Sequence, residues 1–220
     1  MSRKISVIVV DDHELVRSGI SSLLGHADDI VIINEAKSGE DAIQLCRHSM
    51  PDVVIMDINM PGIGGLEATH KLLRINPNIR ILILSVYSDN LFPNKLMKAG
   101  AYGYITKGST TAEMVKAIRA IHSGQRYISP EIASQLALQR LDGDNESPFS
   151  QLSDRELQVT IMICSGDKVQ AIADNLCLSP KTINSYRYRI FEKLNIHNDV
   201  ELTHLALKHN ILTQTSHENS

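Results

Sequence analysis

The sequence predicts two domains of different class: a doubly wound α/β domain on a five-stranded parallel sheet, then a small all-α domain. Three observations predict this. The chain has 220 residues, 43% hydrophobic and 21% charged, which is enough for two ordinary cores. From Ile5 to about Ile121 short Val/Ile/Leu runs alternate with amphipathic stretches, whereas no strand pattern recurs beyond about residue 149. Between them, "DGDNESPFSQ" is polar, acidic and turn-rich and reads as a linker. The expected boundaries are 1–124 for the α/β domain, 125–148 for a linker helix and linker, 149–212 for the helical domain and 213–220 for a frayed tail.

The strands are "ISVIVV", "IVIINEA", "DVVIMD", "IRILILS" and "AYGYIT", nearly continuous apolar runs of the kind buried on both faces. Helices are expected over 15–24, 39–48, 64–73, 92–99 and 111–121. Thr110 and Glu113 have capping-box spacing for the last of these, and Gly124 follows its end. Ser129 and Pro130 supply an N-cap and a first-turn proline for a helix running to Leu141. Beyond the linker, "LSDRELQVTIMI", "KVQAIADNL", "SPKTINSYRYRIFEKL" and "DVELTHLALKH" read as four short helices. Ser153 and Glu156 form a capping box, and Ser179-Pro180 starts the third. Ala171, Ile172, Leu176, Leu178 and Ile183 are expected to pack a corner between the second and third, and Ile183, Tyr186, Ile190 and Leu194 to form the third helix's buried stripe.

Composition excludes several classes. No apolar run approaches the roughly 20 residues of a membrane span, and "MSRKISVIVVDD" has no signal-peptide pattern, so a cytoplasmic protein without membrane association is expected. A formal charge of −3 excludes a broadly basic nucleic-acid binder and confines any such binding to a local patch. Cys46, Cys164 and Cys177 lie far apart without a CxxC, which favours reduced packing cysteines over a metal site.

The stretch "PDVVIMDINMPGIGG" buries four apolar side chains and then ends the strand on a carboxylate, Asp57. In an open parallel sheet ligands bind at the carboxyl ends of strands. Strand 1 ends in Asp11 and Asp12, strand 3 in Asp57, strand 4 in Ser85, and strand 5 in Thr106 and Lys107. Any one of these is an ordinary turn residue; together they place three carboxylates, a hydroxyl and an amine on one rim. Acids so crowded call for a cation, and one or two carboxylates plus water and a phosphate is the usual magnesium arrangement. Lys107 and Ser85 would then receive phosphoryl oxygens, and the Asp57 carboxylate would be the nucleophile that forms an acyl phosphate.

"VVDDHELVRSG", "DVVIMDINMPGIGGLEA", "ILILSVY" and "AGAYGYITKG" resemble the receiver domain of two-component response regulators across residues 4–123. The resemblance implies that a sensor histidine kinase phosphorylates Asp57, and that Asp12 binds Mg²⁺ directly with Asp11 assisting, Asp57 in the same ligand set and the Asn59 backbone carbonyl completing it. It also implies that Tyr104 changes rotamer with Ser85, and that Asn59 and Tyr87 tune hydrolysis of the acyl phosphate. Where many receivers have Lys-Pro, this chain has Lys107-Gly108.

On the third helix of the second domain, Lys181, Asn184, Ser185 and Tyr188 fall opposite the apolar stripe, flanked by Arg187, Arg189 and Lys193 against a single acid, Glu192. Short polar side chains with a basic fringe suit a DNA major groove: asparagine can bond an adenine edge bidentately, and the fringe can neutralise phosphates. The pattern resembles the helix-turn-helix of LuxR/NarL-type regulators. That resemblance places bases under Lys181, Asn184, Ser185 and Tyr188, with Thr182 in the same candidate set, and makes the last helix a dimer contact. "MPGIGGLEAT", "GQRYISPEIASQLAL" and "LSPKTINSYRYRIFEKLNI" resemble in particular the GacA/UvrY/LetA type, which implies control of small regulatory RNA genes that counter a CsrA-type repressor. The expected protein binds promoter DNA, homodimerises when phosphorylated or DNA-bound, and packs its receiver over the recognition helix beforehand. Two rivals are a receiver acting only through protein partners and an aspartyl-phosphate phosphatase; the latter lacks a substrate cap in this sequence.

Overall fold

Val53, Val54, Ile55 and Met56 have no exposed surface, and each such side chain contributes about 1.5–3 kcal/mol by leaving water. They form β3 (Val53–Asp57), the middle of a parallel sheet in the computed structural model, which describes residues 3–85, 91–141, 147–209 and 211. The other strands are β1 (Ile5–Val10), β2 (Ile30–Ala36), β4 (Arg80–Ser85), β5 (Gly103–Thr106) and β6 (Tyr127–Ile128), in the order β2-β1-β3-β4-β5-β6. The sheet therefore has six strands where five were expected. Tyr127 and Ile128 pair with Gly103 and Tyr104, and a strand of two residues has no periodicity for a sequence to display.

Helices α1 (Glu14–Leu24) and α5 (Thr111–His122) share one apolar layer with Val7, Val9, Ile55 and Leu84. Helices α2 (Gly39–Ser49), α3 (Gly64–Ile75) and α4 (Leu91–Ala99) cover the other face, in a layer with Ile8, Val54, Leu66, Phe92 and Tyr104. Thr110 accepts the Glu113 backbone N–H, as its spacing predicted. Helix α6 (Pro130–Leu141) starts where expected, but Ser129 does not cap it: its hydroxyl is buried without a hydrogen-bond partner, while its backbone N–H donates to the Tyr104 carbonyl.

A 3₁₀ turn over Pro148–Gln151 opens the helical domain, followed by α7 (Asp154–Cys164), α8 (Val169–Asn175), α9 (Pro180–Leu194) and α10 (Asp199–Lys208). Both halves of the Ser153/Glu156 capping box form, and Ser179 accepts from Thr182. Ile183, Ile190 and Leu194 are buried with Tyr186 half-buried beside them. Ala171 is exposed, against expectation; Ala173 takes the inner position, because the helix turns its apolar stripe through Ile172, Ala173 and Leu176. Linker residues 142–146 and tail residues 213–220 lie outside the described residues.

The apolar layer beneath α3 and α4 continues through Phe149, Leu152 and Leu157 into the second domain. Around it the loop after β3 bonds directly to α7 and α8. The Gly62 N–H donates to the Asn175 carbonyl at 3.0 Å, Gln158 Nε2 donates to the Met60 carbonyl at 3.3 Å, and the Arg155 guanidinium bridges the carbonyls of Gly62 and Leu176. Asp154 meets His70 Nδ1 at 2.7 Å and Lys95 Nζ at 3.1 Å. Burial pushes the Asp154 carboxyl up, but His70 and Lys95 together hold it below its ordinary value. Among the described residues the α/β domain thus packs on α7 and α8 and not over α9, which corrects the expectation from sequence: the apolar and charged groups that match α3 and α4 are on α7.

Candidate phosphoacceptor site and DNA-facing helix

Parallel register brings the strand ends to one level. Val10 pairs with Met56, Asp57 with Leu84, and Ser85 with Thr106, so Asp11, Asp57, Ser85 and Lys107 follow one another along the carboxyl edge. Lys107 Nζ lies 2.7 Å from Asp11 Oδ2 and 2.9 Å from Asp57 Oδ2. Asp57 also accepts the Asn59 N–H at 3.3 Å. Its side chain is 2% exposed. Burial pushes its carboxyl up to about 6, outweighing Lys107, which acts in the opposite sense. Burial pulls the Lys107 ammonium down, but Asp57 and Asp11 outweigh it and hold it above its usual value.

Asp11, Asp12 and His13 bring their possible ligand atoms within 4.8 Å of one another. His13 Nδ1 lies 3.0 Å from Asp12 Oδ1, and the His13 N–H donates to Asp11 Oδ1 at 2.8 Å. The oxygen-rich donor set fits a hard divalent cation: Asp11 is buried, Asp12 is partly open, and the exposed Asn59 stands beside it on the rim of a cavity of about 220 Å³. Gln158, Ser165, Asp167 and Asn175 of the helical domain line the far wall of that cavity. The acidic site therefore opens towards α7 and α8.

Ser85 is buried at the end of β4, and Tyr104 is fully buried in the layer below. Tyr87 lies outside the described residues. Gly65 packs so closely that a Cβ there would lie 1.8 Å from the Asp57 carbonyl oxygen, which explains the glycine after the loop that follows Asp57.

On α9, Lys181, Ser185, Tyr188 and Arg189 are exposed, and Thr182 and Asn184 are half-buried. Tyr188 is 74% exposed, so the face expected to meet DNA is open. Two members of the expected basic fringe are engaged within the domain. Lys193 Nζ meets Glu156 Oε2 at 2.6 Å, and Arg187 holds both oxygens of Asp199. Burial pushes the Glu156 carboxyl up, but Lys193 and Ser153 outweigh it and hold it low. Arg189 lies 5.9 Å from the Tyr186 ring and is left with Lys181 as the open cationic pair of this helix.

The response regulator receiver domain family matches residues 7–119, and the luxR family of bacterial regulatory proteins matches residues 150–206. The chain belongs to the LuxR-type response regulators. It is 54% identical to response regulator GacA of Pseudomonas aeruginosa over 213 residues, 96% of this chain and all of that one. It is also 54% identical to response regulator UvrY of Escherichia coli K12 over 208 residues, 94% of this chain and 95% of the relative. The RcsB response regulator of Salmonella typhimurium superposes with a TM-score of 0.71 over 94% of this regulator and 98% of RcsB, at 23% identity, which supports the fold alone. The regulator is thus a transcription factor of a two-component system and not an enzyme.

Proposed function

We propose that a sensor histidine kinase phosphorylates Asp57 and that the acyl phosphate controls how the α9 face engages promoter DNA. The observation that supports this most is Asp57 itself, buried at the end of the central strand with Lys107 Nζ bridging it to Asp11. In the transfer an Asp57 oxygen attacks phosphorus, the O–P bond forms as the P–N bond of a phosphohistidine breaks, and the imidazole leaves with the electron pair. Lys107 and Ser85 take the phosphoryl oxygens, and Tyr104 responds to Ser85. Asp11, Asp12, Asp57 and the Asn59 carbonyl would hold Mg²⁺, which would neutralise the approaching charge. Lys181, Thr182, Asn184, Ser185 and Tyr188 face the bases, with Arg189 on phosphate. Two copies on adjacent half-sites would double the phosphate contacts that one α9 can make, so the homodimer is the DNA-bound form. The similarity to GacA and UvrY supports small regulatory RNA genes as targets, in a cytoplasmic protein; among the described residues no helix is long and apolar enough to cross a membrane.

DNA footprinting before and after loading with a small phosphodonor tests the reading. Protection should appear at lower protein concentration after loading, and Asp57→Asn should abolish the response while leaving basal binding. A response that persists in Asp57→Asn refutes the site. Repeated turnover of the donor with no footprint would mark a phosphatase instead.

A further inference from the structure

We propose that Arg187 is a positioning residue for base readout: clamped by Asp199, it fixes the Asn184 amide as a hydrogen-bond donor, so that the base beneath Asn184 is read as an acceptor edge, guanine O6/N7, and not as adenine. The proposal rests on the reading of α9 as the recognition helix.

Asn184 and Arg187 are three residues apart and share one helix face. Arg187 Nε lies 3.2 Å from Asp199 Oδ1 and its Nη2 lies 2.6 Å from Asp199 Oδ2, a two-pronged pairing that leaves the guanidinium little freedom to turn. The remaining prong, Nη1, donates to Asn184 Oδ1 at 3.3 Å. The guanidinium carbon lies 5.7 Å from the centroid of the Phe191 ring, and Arg187 is 27% exposed, so it sits under the DNA-facing surface and not on it.

A guanidinium carries donors only, so the amide oxygen, and never the nitrogen, must face Arg187. The amide nitrogen is therefore turned away from it, presenting donors beside exposed Lys181, Ser185 and Tyr188. Reading adenine bidentately requires the same amide to accept from N6 and donate to N7 at once. With the oxygen turned towards Arg187, which lies beneath the DNA-facing surface, the NH₂ is the half left facing the base. A donor next to the exposed ammonium of Lys181 matches O6 and N7 of guanine. Sequence alone could not choose between the two edges, because the choice lies in a contact with Asp199 on the next helix.

The test is selection of preferred sites from a randomised DNA pool with the full-length phosphorylated regulator and three variants. Arg187→Met removes the clamp. Arg187→Lys keeps the charge but offers a single point that cannot hold Asp199 and Asn184 together. Asn184→Ala removes the reader. The expected result is a loss of guanine over adenine at one position, by about tenfold, in Arg187→Met and Arg187→Lys alike, with preferences elsewhere unchanged. Asn184→Ala should erase discrimination at that same position. A uniform loss of affinity in Arg187→Met, with a salt slope lower by about one and restored in Arg187→Lys, would make Arg187 a phosphate contact and overturn the proposal. Unchanged preference in both Arg187 variants, with Asn184→Ala still altering one position, would overturn it while leaving α9 as the recognition helix. No change in Asn184→Ala, or in a Tyr188→Ala control, would overturn that underlying reading as well.

Discussion

Asp57 is held in a place that disfavours its own charge, and this makes the metal-free protein less stable at neutral pH than an uncharged variant. Burial raises its carboxyl from 3.8 to about 6. The folded state therefore binds the proton more tightly than the unfolded chain, and stability falls as pH rises through the window from 3.8 to about 6. At 1.36 kcal/mol per pKa unit, the full cost above that window is about 3 kcal/mol. Asp57→Asn keeps the shape, and its amide oxygen can still accept from Lys107, but it has nothing to ionise. In EDTA at pH 7.5 the variant should be more stable by up to about 3 kcal/mol, which for a chain of this size is roughly 10 °C in Tm. At pH 4, where the wild-type carboxyl is mostly protonated, the difference should nearly vanish. Mg²⁺ at pH 7.5 should also narrow it, because a divalent cation favours the ionised carboxylate. Thermal unfolding of both proteins at the two pH values is the assay. A gap of the same size at pH 4 and 7.5, or a wild type that is the more stable at pH 7.5 in EDTA, would refute the reasoning.

Three further outcomes follow from particular contacts. Gly65→Ala drives a methyl against the Asp57 carbonyl oxygen and the Ile58 Cα, both backbone, so it should cost about 3 kcal/mol or more in thermal stability and slow phosphorylation of Asp57. Wild-type labelling in that variant would show that the loop yields freely. Arg155→Ala removes the bridge between the Gly62 and Leu176 carbonyls; discounted for its partial exposure this is about 1 kcal/mol, a roughly fivefold shift towards separated domains. Inter-domain fluorescence transfer would report it, and an unchanged distance distribution would contradict the bridge. Cys177 adopts a left-handed φ of 53° in the turn before α9, so Cys177→Gly should stabilise the helical domain by about 1 kcal/mol in a melt, and a loss of stability would refute strain at that turn.

The elements and the acidic rim were legible in the sequence for a physical reason. Strand runs of four to six apolar residues stand out locally, and a parallel sheet must place their carboxyl ends together; "DVVIMD" and "ISVIVVDD" thus put Asp57 near Asp11. The caps at Thr110, Ser153 and Ser179 were equally local, since each bonds within three residues of itself. Contacts across the chain were another matter. The two-residue strand β6 exists because β5 offers it an edge, and no pattern of its own predicts it. Arg187 and Lys193 read as a phosphate fringe until Asp199 and Glu156, 12 and 37 residues away, are seen to hold them. The seating of the receiver on α7 and α8 depends on pairing Gly62 with Asn175 and Asp154 with His70. Local sequence carries propensity, period and capping, which are set within one or two turns. Which charge meets which, and which face of a helix is left for DNA, is decided by groups brought together only when the domains pack.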